Sequence, residues 1–198
     1  MSNIKVVKAN ELNDEIRKQI SEIFVDGFYQ WIHYFSKDKN KLARAFNHMF
    51  QLHNFYVAII DDKIAGAVAC TDGRSKSVIL NKKDLRMYLG FPMGSIAYIA
   101  LRKELENHKY PFDLEVDCGS MEFVMTNKSY RNMGVASAII KHIFKNTDFK
   151  SYVLEVADSN TPAVNLYKKM GFNDYMKVKN NFSKQSGFNY YLYMKYVK

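Results

Sequence analysis

The sequence is short of punctuation and of sulfur. Three prolines and nine glycines are spread over 198 residues. No Pro- or Gly-rich linker divides the chain, and no repeat or low-complexity segment is visible. The two cysteines, Cys70 and Cys118, stand alone, without a Cys-x-x-Cys pair or a histidine at ligand spacing. That excludes a disulfide framework, leaves no metal site to expect, and fits a reducing, cytoplasmic compartment. Long apolar runs are missing too. The richest, residues 91–101, falls short of the ~20 residues of a membrane span and is interrupted by Pro92, Gly94 and Ser95. The N-terminus, Met-Ser-Asn-Ile-Lys-Val-Val-Lys, has no apolar leader, so no membrane partner is expected. Acid is scarce: 29 lysines and arginines face 20 aspartates and glutamates, a net charge of +9, and no acidic residue follows Asp174. Such a field favours an anionic partner, such as a phosphorylated cofactor, nucleic acid or an acidic surface; the plain alternative is a solvated basic face.

What is present suffices for a core. Apolar residues make up 47% and charged residues 25%, and a chain of this length buries about 70% of its unfolded surface. Residues 1–198 read as one domain. Residues 4–8 alternate weakly, as a strand. Asn10 is placed to cap a helix that carries Leu12, Ile16, Ile20, Ile23, Phe24 and Phe28 at helical spacing. A second helix is predicted over 36–53, with Leu42, Phe46, Met49 and Phe50 on one face. Residues 55–60 and 63–71, joined by Asp61-Asp62, form a hairpin. Helical patterns at 80–89 and 94–105 occupy a segment, 73–115, that is otherwise hard to place. A strand (117–126), a helix (134–145), a strand (152–156), a helix (162–170, ended by Gly171) and two closing strands (172–178 and 190–197) follow. The polar loop 180–189 is expected to be mobile. Strands alternating with helices predict an α/β fold, a mixed sheet flanked by helices.

One stretch carries chemistry. A strand, 121–126, leads through a tight polar loop into a helix, and the loop reads Arg131-Asn132-Met133-Gly134-Val135-Ala136. Free amides and the dipole at a helix N-terminus attract anions. Gly134 and Ala136 are small enough for a diphosphate to approach the backbone, and Arg131 adds a cation or braces the loop. Alone this is a weak signal, because many helices begin this way with no ligand. About thirty residues on comes Asn160-Thr-Pro-Ala-Val-Asn-Leu-Tyr-Lys-Lys-Met-Gly-Phe. By itself it is a capped amphipathic helix, with Asn160 the cap, Pro162 in the first turn and Tyr167 in the core.

Together, in this order and at this spacing, the two segments resemble the GNAT acetyltransferase superfamily. The first is similar to its Gln/Arg-x-x-Gly-x-Gly/Ala pyrophosphate loop, the second to its Asn-x-x-Ala-x-x-Leu-Tyr-x-x-x-Gly-Phe signature. The resemblance covers roughly residues 117–178. It implies a mixed, mostly antiparallel central sheet flanked by helices, with 73–115 as a helical insertion between strands 3 and 4. It implies that acyl-CoA lies between strands 4 and 5, with pantetheine on the edge formed by Val124, Met125 and Thr126. The pyrophosphate would lie on Arg131, Asn132, Met133, Gly134, Val135 and Ala136, with Asn160 toward pantetheine and Tyr167 near the thioester sulfur. The implied activity is acetyl-CoA-dependent N-acetylation of a primary amine, on a small-molecule acceptor, by direct transfer. The Tyr167 phenol, with an ordinary pKa of ~10, would protonate the leaving thiolate. Glu122 is the first candidate to take the amine proton; the alternative is that it faces solvent or braces a cation. Glu155 is the reserve, His108 and Tyr110 come after it, and water is a further alternative.

The inserted segment has three readings: a substrate lid, a homodimer surface, or packing. Its Met87, Tyr88, Phe91, Met93, Tyr98, Tyr110 and Phe112 suit an acceptor pocket or plain core. Near the C-terminus, Lys177, Lys179, Lys184, Lys195 and Lys198 interleave with aromatic residues, a pattern that binds nucleic acid or closes a half-solvated hairpin. The competing functions are a non-catalytic acyl-CoA-binding or sensor module and a basic nucleic-acid-associated protein. Acetyl-CoA and an amine are the partners expected.

Overall fold

The computed structural model describes residues 4–198. Seven strands, β1 (Lys5–Lys8), β2 (Phe55–Ile60), β3 (Lys63–Thr71), β4 (Cys118–Thr126), β5 (Ser151–Ala157), β6 (Asn173–Lys179) and β7 (Tyr190–Val197), form one sheet in the order β1-β2-β3-β4-β5-β7-β6. Every neighbouring pair is antiparallel except β4 and β5, which run parallel. This is the mixed, mostly antiparallel α/β sheet the sequence predicts.

Alternation along the strands separates two cores. Phe55 and Val57 of β2 face a layer built from α1 (Ile16–Ile32), α2 (Lys39–Phe46), α3 (Lys82–Leu89) and α4 (Phe91–Leu101). Tyr56, Ala58 and Ile60 face the opposite layer, of α5 (Val135–Asn146) and α6 (Thr161–Lys169). A one-residue slip in β2 would send each set to the wrong core, so the register is fixed by burial on both faces. In α1, Ile16, Ile20, Ile23 and Phe24 recur as the buried stripe. Phe24 stacks on Phe28 at 4.8 Å and meets Phe46, Phe50 and Phe123 edge-on.

Some local expectations change. Asn10 does not cap the first helix: residues 9–11 make one 3-10 turn, and α1 begins at Ile16 with no side-chain cap. The second helix spans eight residues rather than the predicted eighteen. Asp38 starts it, accepting from the amides of Asn40 and Lys41 at 2.8 and 3.2 Å. Met49 and Phe50 are still fully buried, but beyond the helix, where Phe50 pairs with Val78. Apolar periodicity outlasts the helix because the connection runs through the same core.

The β3–β4 connection carries α3 and α4. Asn81 caps α3, accepting from the Lys83 amide at 2.8 Å. The two helices touch closely at Gly94, where a Cβ would lie 2.5 Å from the Arg86 backbone. A widened π turn, Arg102–Glu106, then hands the chain back toward the sheet. The loop 180–189 is hydrogen-bonded around one residue. Asn180 is buried; it donates to the Phe188 carbonyl at 3.0 Å and to Ser186 Oγ at 2.5 Å, and accepts from the Phe182 amide at 2.9 Å. The loop holds a short helix, α7 (Ser183–Ser186), and Trp31 Nε1 of α1 donates to the Ser186 carbonyl at 3.2 Å. In the basic–aromatic tail Phe188 and Tyr193 are buried in the hairpin, Tyr175 and Phe182 are exposed, and the Lys177 ammonium lies 3.9 Å from the Tyr190 ring centroid.

Candidate active site

β4 and β5 pair over four rungs, from Cys118↔Ser151 to Met121↔Leu154, and then part. Two features keep them apart. β5 stays on β7 along its whole length. β4 bulges: Ala69 faces Glu122 but Ala67 faces Met125, so β4 holds one residue more than β3 between those rungs. Phe123 sits at the bulge with φ +50°, and a bulge of this kind bends its strand and re-aims side chains. On the β3 side Met125 and Thr126 remain paired. On the β5 side Val124, Met125 and Thr126 present an open edge inside the sheet, which an amide-bearing chain can use.

The loop after β4 turns sharply. Asn132 (φ +62°) and Gly134 (φ +79°) both occupy the left-handed region, a conformation that groups amides into anion-binding concavities. Gly134 is the N-cap of α5 and supplies no side-chain cap. The first hydrogen bond onto it runs from the Ala138 amide to the Gly134 carbonyl, 2.9 Å, so the amides before Ala138 have no partner within the helix. A Cβ at Gly134 would meet nothing within 4 Å, so the space beside that residue is open. Arg131, Asn132, Met133 and Gly134 are exposed, Ala136 is half-buried, and Val135 anchors the turn in the α5 core. Among the described residues Arg131 forms no ion pair.

The second motif lies on α6. Asn160 is its cap, Oδ1 accepting from the Ala163 amide at 3.4 Å. Tyr167 is buried, packed edge-on against Phe172 at 5.9 Å. Burial pushes its phenol well above the ordinary value, so the hydroxyl keeps its proton.

Two carboxylates stand where the strands part. Met121 and Leu154, the last rung, point into the α5 core. The next residues, Glu122 and Glu155, therefore emerge together on the opposite face, one from each strand. Glu122 accepts from Ser77 Oγ at 2.5 Å, Ser120 Oγ at 2.8 Å and, more weakly, Thr71 Oγ1 at 3.5 Å. Tyr110, from the β3–β4 connection, extends the chain through its hydroxyl, 2.8 Å from Ser120 Oγ. Glu155 lies opposite Tyr193 of β7, and its Oε2 is 3.3 Å from His108 Nε2. The two groups are in ion-pair range whenever the ring is protonated, and Oε2 is buried with no other partner. The Glu155 carboxylate raises the His108 pKa, with burial opposing it and Glu122 and Glu104 adding smaller pushes. Burial first, then Glu155, raises the Tyr193 phenol.

Sequence reasoning named every motif residue here but not their company. Ser77 and Thr71 had no signal of their own, and His108 beside Glu155 is a contact between distant segments. Among the described residues no three His, Cys, Asp or Glu side chains gather as a metal site, and no helix is long and apolar enough to cross a membrane.

A sequence model of the Acetyltransferase (GNAT) family matches residues 17–172. A search of curated proteins by sequence finds no match. Among solved structures, an N-acetyltransferase from Staphylococcus aureus Mu50 superposes with TM-score 0.62 at 14% identity, covering 97% of this chain and 100% of that one. A GCN5-related N-acetyltransferase from Kribbella flavida gives 0.58 at 15%, over 98% of both chains. Ard1 from Thermoplasma volcanium gives 0.57 at 12%, over 98% of this chain and 97% of that one. Likeness at such identities concerns the fold.

Proposed function

The chain belongs to the acetyltransferase (GNAT) family, and from that premise we propose that it is a cytoplasmic enzyme moving an acetyl group from acetyl-CoA directly to a primary amine of a small molecule. The observation that carries this reading is the parting of β4 from β5 beside an uncapped, open helix N-terminus. The open edge of Val124, Met125 and Thr126 suits the two amides of pantetheine. The amides of Asn132, Met133, Gly134, Val135 and Ala136, with unpaired Arg131, suit a pyrophosphate, because the donors are fixed before the anion arrives. Asn160, at the head of α6, faces the same ligand in this reading. Both cysteines are free and buried, which supports a reducing compartment.

In the reaction the amine nitrogen attacks the thioester carbonyl, a C–N bond forms and the C–S bond breaks. Tyr167, kept neutral by burial, gives the sulfur its proton. Amides at the opened edge near Met125 stabilise the oxyanion. Glu122, where the strands part, is the group the sequence offers for the amine proton, a role its hydroxyl partners leave open to a neighbouring base. One observation favours a second reading, acyl-CoA binding without turnover: the Glu122 oxygens are already engaged by hydroxyls.

The test is heat stabilisation of the purified protein by acetyl-CoA, CoA and ATP side by side. A ligand that binds only the folded state raises the apparent stability by mass action. Stabilisation by acetyl-CoA and CoA, with little from ATP, is the expected result. Equal shifts from all three, or none, would remove the acyl-CoA site.

A further inference from the structure

Glu122 and Glu155 are symmetric about the β4–β5 opening but not in their surroundings. Glu122 lies among three hydroxyls, of which Ser77, Ser120 and Thr71 are all buried. A carboxylate so engaged has few lone pairs left for an incoming proton. Glu155 keeps a buried oxygen without a hydrogen bond and has an imidazole against it. That imidazole is held in place. Tyr110, two residues on, reaches Ser120 Oγ at 2.8 Å. The Tyr110 and Phe112 rings lie 5.9 and 5.4 Å from Tyr193, and His108 itself lies 5.8 Å from Tyr110. Residues 108–112 thus lie across β4, β5 and β7 beside the opening.

We propose that His108 takes the proton of the acceptor amine, and that Glu155 orients its ring and balances the charge it gains. The inference rests on the acyl-transfer reading above. When the ring is neutral, the Glu155 carboxylate 3.3 Å from Nε2 favours the hydrogen on that nitrogen and leaves Nδ1 as the base. The amine nitrogen bonds to the carbonyl carbon and its surplus proton passes to His108. The C–S bond breaks and sulfur leaves with the Tyr167 proton. His108 then loses one proton to solvent and Tyr167 regains one, so one amide and one thiol result. The charged or titratable groups around His108 are Glu155 of β5, Glu122 of β4, Glu104 of the π turn and Tyr110, with Tyr193 of β7 beyond them against Tyr110 and Glu155. The carboxylates favour the imidazolium, so the free base grows only as pH rises past the ordinary histidine value of ~6.5. The segment after α4 then belongs to the chemistry rather than to packing alone.

The experiment uses the full chain, saturating acetyl-CoA and hydrazine as a small acceptor, its free-base concentration held constant across pH, following thiol release, with acetyl-CoA stabilisation recorded for each variant. His108→Gln and Glu155→Gln are expected to keep that stabilisation and lose about 100-fold in turnover. Added imidazole should restore part of the rate of His108→Ala. Wild-type kcat/KM should carry a rising limb from the imidazole that His108→Gln lacks and Glu122→Gln retains. A His108 variant with the wild-type rate, a loss that imidazole does not rescue, or a limb that disappears with Glu122→Gln would each overturn the proposal. So would a protein that acetyl-CoA stabilises but that shows no hydrazine-dependent thiol release. Absence of acetyl-CoA stabilisation in the wild type overturns the acyl-transfer reading first, and the inference with it.

Discussion

The β4–β5 seam has a closed half and an open half. Over the four closed rungs, Ser120, Met121, Tyr152, Val153 and Leu154 are all buried, and β5 is paired on both sides, with β4 and with β7. Past Met121 and Leu154, Glu122, Phe123, Val124, Thr126, Glu155 and Ala157 are only partly buried, and one edge of β4 pairs with nothing in the sheet. The closed half is a core. The open half is an unpaired edge anchored at one end by that core, and the proposed binding surface. A cleft within one sheet needs no hinge if the same two strands are clamped at one end and bulged at the other.

The comparison breaks most severely at the clamp. Tyr152 is fully buried, packs on Phe144 at 4.7 Å and meets Thr147 Oγ1 through its hydroxyl at 2.7 Å. Tyr152→Ala should cost about 3–5 kcal/mol, read by calorimetry as a Tm loss of roughly 6–20 °C. Next in size is the open half. Gly134→Asp puts a carboxylate over the free amides, in a left-handed conformation that aspartate tolerates. Acetyl-CoA affinity by titration calorimetry should fall about 100-fold, ~2.7 kcal/mol, with the ligand-free Tm nearly unchanged. If affinity holds, the pyrophosphate is elsewhere. Tyr167→Phe should lower kcat about 30-fold, ~2 kcal/mol, at unchanged acetyl-CoA affinity; an unchanged kcat with chemistry rate-limiting removes the phenol from proton transfer. Glu122→Gln should lower the denaturation midpoint by about 1–2 kcal/mol of stability, because three hydroxyls lose a charged acceptor.

The smallest effect is the pH dependence at His108. Its folded pKa is raised, chiefly by Glu155. The linked stability is therefore present below the unfolded value of ~6.5 and is lost as pH rises through the folded value. The ring is partly exposed, so solvent screens the pair and the energy is small. The Tm gap between wild type and His108→Gln should narrow from about pH 6 to about pH 8; a gap that widens would mean the imidazole is not stabilised as a cation.

Legibility in the sequence followed the range of the interactions. The β2–β3 hairpin was readable because Asp61-Asp62, both at positive φ, joins two apolar runs with nothing between. The two motifs were readable because each is a local strand–loop–helix or capped helix. The α1 start was misplaced because Asn10 has the chemistry of a cap but sits in a separate 3-10 turn. Glu122 was singled out by its strand position and the family resemblance, yet what engages it, Ser77 and Thr71, comes from 45 and 51 residues earlier in the chain. The loop 180–189 read as solvated polar chain because its organiser is itself polar. Asn180 supplies hydrogen bonds that a core would supply by packing.

Trp31 is the only tryptophan in the chain, and its indole N–H is tied to the Ser186 carbonyl across 155 positions of sequence. Excited beyond the absorption of the tyrosines, the protein therefore reports from one indole, attached at the end of α1 and reading the β6–β7 loop. Any event that lifts that loop, whether a ligand entering or a substitution at Asn180, should change the colour of a single emission band with no label attached.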